Sequence, residues 1–253
     1  MKKIFTATMM TAVMLAAGGA AHADETITEA RTVDGRTVKV VLDGVVDLKL
    51  KQGAPALVLS GDKRYLEKIT VTQSGDTIRI GTEKLNGFHI GSYNLKAELT
   101  LPQLRELVSA GVGSAEVKGF DGDEVRLALD GAGAVNVSSH FKKVDVRLSG
   151  VGHMNVSDTR ADVVDLNLKG AGEISISGQS KQLFAKLGGI GSLDAKQLQS
   201  DSVDADMTGL GSATFNAKTS ANLRLSGMGS ATVYGKPANR QSTARGLGSV
   251  SWN

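Results

Sequence analysis

The sequence predicts an all-β protein, a right-handed parallel β-helix (β-solenoid) of about 11–12 rungs with no substantial helix in the mature chain. Three observations predict it: a glycine pair that recurs at a fixed interval, period-2 alternation of apolar and polar residues on both sides of each pair, and a composition rich in glycine and poor in aromatics.

The pairs are Gly111 and Gly113, Gly131 and Gly133, Gly150 and Gly152, Gly170 and Gly172, Gly189 and Gly191, Gly209 and Gly211, Gly227 and Gly229, and Gly246 and Gly248. First glycines are separated by 20, 19, 20, 19, 20, 18 and 19 residues, the mark of stacked supersecondary units. Before each pair the apolar residues alternate, as in Val144-Asp145-Val146-Arg147-Leu148 and Val164-Asp165-Leu166-Asn167-Leu168. After it the alternation resumes, as in Ala134-Val135-Asn136-Val137 and His153-Met154-Asn155-Val156. Each repeat therefore reads as strand, glycine bend, strand and turn.

One such unit cannot close a core, because each strand buries a single face. Stacking equivalent strands in parallel solves this by joining inward residues into columns. Parallel connections are right-handed in about 98% of cases, which sets the expected hand. The residues between the glycines, Val112, Ala132, Val151, Ala171, Ile190, Leu210, Met228 and Leu247, are all apolar and are expected to form one inward column. The flanking glycines are expected to be structural corners, where a side chain would strike its counterpart about 4.8 Å above or below. In the last repeat Arg240, Ser242 and Ala244 occupy inward slots, which fits a terminal rung facing solvent.

Residues 24–108 lack the pairs but carry alternating runs at Thr37–Leu42, Val45–Leu50, Ala56–Leu59, Lys68–Val71, Thr77–Ile80 and Leu95–Thr100, separated by Asp43-Gly44, Ser60-Gly61, Ser74-Gly75-Asp76 and Asn86-Gly87 turns. They are expected to be irregular N-terminal rungs continuous with the regular repeats of 109–253, with a loop over Glu83–Tyr93. Residues 1–23 read as a secretory signal: Lys2 and Lys3, an apolar run from Thr11 to Ala17, and Ala21-His22-Ala23 as cleavage site. The expected localisation is periplasmic or extracellular.

The absence of cysteine excludes a disulfide framework and a lipid-anchoring cysteine. Losing Lys2 and Lys3 with the leader lowers the formal charge from +3 to +1, which gives no argument for nucleic acid or an anionic membrane. No stretch of eighteen apolar residues marks a membrane span.

Candidate chemistry is sparse, and no catalytic residue, cofactor or metal is expected. Of the histidines beyond the leader, His89, His140 and His153, none stands at metal-ligand spacing from another. The glycine pairs lack the third glycine, the helix and the lysine of a phosphate loop. Asp204 and Asp206 project to one side at strand spacing, with Lys186 and Arg224 one rung away. Such a set would suit calcium-assisted lyase chemistry on acidic polysaccharide, or a solvated salt-bridge ladder. Behind the bend, Ser192, Ser212, Ser230 and Ser249 fall in one outward column and Ser175, Thr214, Thr232 and Ser251 in the next. This hydroxylated strip is the candidate partner-binding face, for a glycan, a peptide or another copy, with Tyr234 and Trp252 as the nearby rings able to stack on a sugar.

One further reading rests on order along the chain. Val45–Gly53, Ser74–Ile80 and Leu101-Pro102-Gln103-Leu104-Arg105-Glu106-Leu107, followed by the first glycine pair, resemble the putative auto-transporter adhesin head family, also called the head GIN domain. The resemblance implies a right-handed single-stranded β-helix exported by Gram-negative bacteria, with a role in adhesion and no catalytic or binding residues to carry over. The chain has no C-terminal run of amphipathic membrane strands, so a complete auto-transporter is not expected. The expected function is an exported non-enzymatic binding or structural module with a cell-surface glycan or protein as partner. The alternatives are a β-helix enzyme acting on polysaccharide and a self-assembling scaffold.

Overall fold

A computed structural model describes residues 26–83 and 94–253. The predicted leader, His89 and most of the predicted 83–93 loop lie outside the described residues. The elements in order are β1 (Thr26–Arg31), β2 (Lys39–Asp43), β3 (Asp47–Gln52), β4 (Ala56–Asp62), a single helical turn α1 (Lys63–Leu66), β5 (Ile69–Ser74), β6 (Thr77–Thr82), β7 (Lys96–Leu101) and β8 (Glu106–Ser109). Nine strands follow: β9 (Val112–Leu129), β10 (Ala132–Leu148), β11 (Val151–Leu168), β12 (Ala171–Leu187), β13 (Ile190–Met207), β14 (Leu210–Leu225), β15 (Met228–Tyr234), β16 (Asn239–Ala244) and β17 (Ser249–Trp252).

From β9 to β15 each strand pairs in parallel with the next, β16 pairs with the second half of β14 and β17 with β15, and each β9–β14 strand bends around a full turn of the coil. The glycine corner is in strict register: Gly133 lies beside Gly113 and Gly152, and Gly191 beside Gly172 and Gly211. Variation in repeat length is absorbed at the opposite side, where register shifts fall between Ser138 and Lys143, Val156 and Thr159, and Ser175 and Gly178.

Packing follows from this register. Val135, Met154, Ile174, Leu193, Ala213 and Ala231 form one buried column, and Leu127, Val146, Leu166, Ala185, Ala205 and Leu223 another. Burying each large aliphatic side chain stabilises by roughly 1.5–3 kcal/mol, so the stack holds itself together without disulfides. Phe215 is buried between Ala195 and Val233, and Phe120 and Phe141 are buried on the side opposite the glycines. Two interior serines satisfy each other there, Ser180 Oγ lying 2.8 Å from Ser200 Oγ.

The coil makes about seven turns, fewer than the eleven or twelve rungs expected. The difference lies in the N-terminal segment, whose strands do not stack in chain order. β2 and β3 form a rung enclosed between β6 and β7 on one side and β8 and β9 on the other. The chain runs away from this rung through β4 and β5, which pair antiparallel with β7 and β6, and β1 pairs antiparallel with β4. Only afterwards does β8 return to the far side of β2 and start the regular climb. At the base, Asp62 caps the helical turn by accepting from the Arg64 amide at 2.9 Å. A two-residue Gly75-Asp76 bend, with Gly75 at φ +61°, closes the β5–β6 hairpin.

Candidate functional site

The glycine corner is the most regular surface of the molecule, and it faces the other way from the expectation. Residues between the glycines line up in register, Ala132 with Val112 and Val151, Ile190 with Ala171 and Leu210, Leu210 with Met228. They point to water: Val151 is 61% exposed, Ile190 62% and Leu247 82%. The expected inward column is therefore an outward apolar ridge.

The reason is strand parity. Leu148 and Met154 both point into the core, and alternation between them puts Gly150 and Gly152 at the inward slots and Val151 at the outward one. The glycines are required there by their neighbours. A Cβ built on Gly152 would lie 1.9 Å from the carbonyl oxygen of Gly133, and one on Gly133 equally 1.9 Å from that of Gly113. Their φ values of +148° and +150° are a conformation glycine adopts freely. A side chain at these glycines would meet the backbone of the neighbouring turn, while the residue they enclose is displayed. A shallow open groove runs along the ridge between Ala171 and Leu247.

Beside the ridge the structure brings the hydroxylated residues together as two columns. Ser192, Ser212, Ser230 and Ser249 are successive partners in one, and Thr214, Thr232 and Ser251 in the other. Asp194 precedes Thr214 in the second column and accepts from its hydroxyl at 2.6 Å. The two rings predicted to stack on sugar each carry a cation: Lys196 Nζ lies 4.5 Å from the Tyr234 ring centre and the Arg240 guanidinium 5.5 Å from that of Trp252.

The acidic pair is held by an arginine. Asp204 and Asp206 stand beside Asn222 and Arg224 of the next turn, and Arg224 Nη1 donates to both, at 3.2 and 3.1 Å. Asp206 as hydrogen-bond acceptor, reinforced by the charges of Asp204 and Asp206, raises the Arg224 pKa. Lys186 is the register partner of Asp206 on the other side. This is the salt-bridge ladder of the two sequence readings, and it repeats around the coil as Lys142 with Asp123 at 2.7 Å and Lys181 with Asp162 at 2.6 Å. His153 Nδ1 faces Glu173 of the next turn at 3.7 Å, and His140 Nδ1 lies 3.1 Å from Asp121. Among the described residues no three histidine, aspartate or glutamate side chains are grouped as metal ligands. A polar depression lined by Lys39, Arg105, Glu106, Asp123 and Arg126 mixes both signs of charge.

An in-register parallel β-solenoid with flat repeating faces defines the class of protein. The particular family follows from the sequence: the chain belongs to the family described as putative auto-transporter adhesin, head GIN domain, whose pattern matches residues 38–237. Solved structures share the fold. A putative adhesin from Bacteroides fragilis NCTC 9343 is 21% identical, covers 93% of this chain and all of its own, and superposes with a TM-score of 0.66. A putative adhesin from Parabacteroides distasonis ATCC 8503 is 20% identical over 90% of this chain and 97% of its own, with a TM-score of 0.84. A putative lipid binding protein from the same strain is 20% identical over 89% and 96%, with a TM-score of 0.77. No curated protein matches the sequence at a significant level. Among the described residues no helix is long and apolar enough to cross a membrane.

Proposed function

We propose that this chain is an exported, non-enzymatic binding module that presents the strip formed by Ser192, Ser212, Ser230, Ser249, Thr214 and Thr232 to a glycan or protein partner at the cell surface. The observation that carries the reading is the strip itself. Hydroxyls recur at one spacing on a flat parallel sheet, in a chain of an adhesin family. A rigid row of donors and acceptors matches a ligand that is itself a repeating chain of hydroxyls or amides, and little ordering entropy is lost on binding. Export to the periplasm, the surface or the medium follows from the leader-like start of the sequence and the family.

The test uses the mature chain on a glycan array and on intact bacterial cells, beside a Ser212→Arg/Thr232→Arg variant. Both positions are outward, so the variant should keep its far-ultraviolet spectrum and melting temperature while binding falls at least tenfold. Equal binding by the variant sinks the strip as the partner face. Shortening of a charged polysaccharide, with or without calcium, sinks the non-enzymatic reading.

A further inference from the structure

The apolar ridge is an exposed feature left without a role. It runs along the coil in register from Val112 to Met228, with Leu247 following beyond the paired strands, and its side chains grow along the way: Val, Ala, Val and Ala at the first four positions, Ile, Leu, Met and Leu at the last four. We propose that two copies of this chain pair ridge to ridge, antiparallel, about a two-fold axis that passes beside Ile190. That operation sets Leu247 against Ala132, Met228 against Val151, Leu210 against Ala171, and Ile190 against its own counterpart. Apart from Ile190 on the axis, every large side chain then meets a smaller one, as close packing between two rows of equal spacing requires. A two-fold parallel to the coil would instead set Leu247 on Leu247 and Ala132 on Ala132, leaving a clash at one end and a gap at the other.

The charges beside the ridge select the same register. The column that precedes the glycines is exposed and contains Asp130, Lys169 and Arg245. Neither Asp130 nor Arg245 takes part in a salt bridge among the described residues. Under this operation the column faces itself in reverse order, so Asp130 of each copy meets Arg245 of the other, and Lys169 meets Thr208. On the other flank His153 meets Ser230 and Glu173 meets Ser212. No like charges are opposed, and two ion pairs close the ends of the interface. Ridge and flanks over these seven positions bury about 1,000 Å² in total, the threshold for a specific interface and the size of a weak, reversible one. The pairing covers the inner serine column of the hydroxylated strip, Ser192, Ser212 and Ser230, and leaves Thr214 and Thr232 of the outer column open, so a partner on the strip and a second copy compete for Ser212.

Sedimentation velocity of the mature chain from about 1 to 500 µM should show a monomer–dimer equilibrium with a micromolar dissociation constant. Ile190→Glu, which places two carboxylates on the axis, should weaken it at least a hundredfold with an unchanged melting temperature, because the side chain is 62% exposed. Arg245→Asp should weaken it, and Asp130→Arg added to Arg245→Asp should restore it. The chain has no cysteine of its own, so Ile190→Cys should form an intermolecular disulfide under mild oxidation. A monomer at every concentration overturns the proposal, as does a dimer indifferent to Ile190→Glu. Cosedimentation of monomer with phosphatidylglycerol vesicles, lost in Ile190→Glu, would assign the ridge to lipid and overturn it too.

Discussion

A methyl group added at Gly152 has no room. Its carbon would lie 1.9 Å from the Gly133 carbonyl oxygen, and φ is +148°. At Gly75 the same methyl meets nothing within 4 Å, and only the left-handed φ of +61° opposes it. Gly152→Ala should therefore destabilise by about 3 kcal/mol or more and Gly75→Ala by about 1 kcal/mol. Equilibrium urea unfolding of the two variants checks this, and equal losses would refute the corner argument. Acid should also weaken the fold. Side-chain and backbone hydrogen bonds with Arg36 hold the Asp34 carboxyl down at about 2, and hydrogen bonds from Lys118 and Lys142 depress Glu116 and Asp123. Each folded value lies below the ordinary carboxylate value near 4, so the stability these groups add is complete above that pH and is lost as pH falls toward 2. Melting temperature should be flat with respect to these groups from pH 6 to 5, then fall from 4 to 2, and Asp34→Asn should flatten the lowest part. The orientation of Val151 was legible in the same residues: Leu148 and Met154 are six apart, an even step that fixes Val151 outward. Treating the glycine bend as a break in the alternation hid this, because apolar character at all eight positions suggested a core.

Among the elements, the repeats from β9 to β15 follow the alternation closely, since each strand's partner is the equivalent strand one period away. Before β8 the alternating runs still coincide with β2 to β7, but alternation says only which face a strand buries, not which strand it joins. No period ties β2 to β8 rather than to β5, so the enclosed rung and the antiparallel base had no signal. The last turn was legible because its inward slots are polar. Arg240, Ser242 and Ala244 stand in register with Ala221, Leu223 and Leu225 and are exposed, and among the described residues nothing is stacked beyond them. Polar residues on this end prevent one coil from continuing into another. Arg240→Val with Ser242→Leu should create a sticky end and give open-ended, concentration-dependent growth in light scattering at pH 7, where the parent chain grows no further than a dimer. A variant that stays as small as the parent would show that the end is blocked by other means.

At the scale of the whole molecule, the fold and the family were both readable from the order of motifs, and the family pattern spans residues 38–237. The partner was not readable, because Ser212, Thr214, Ser230 and Thr232 are chemically plain and gain meaning only as a row. The account rests on one arrangement: turns stacked in register with the residue between the glycines on the outside. Its most direct test is a pulsed dipolar distance between nitroxides on Ala132→Cys and Met228→Cys, with labelled chain diluted in unlabelled protein. These positions stand five turns apart on one ridge, so the account predicts a single narrow distance of about 24 Å with both labels open to water. A distance beyond about 35 Å, or labels shielded from water in the dilute monomer, would contradict it.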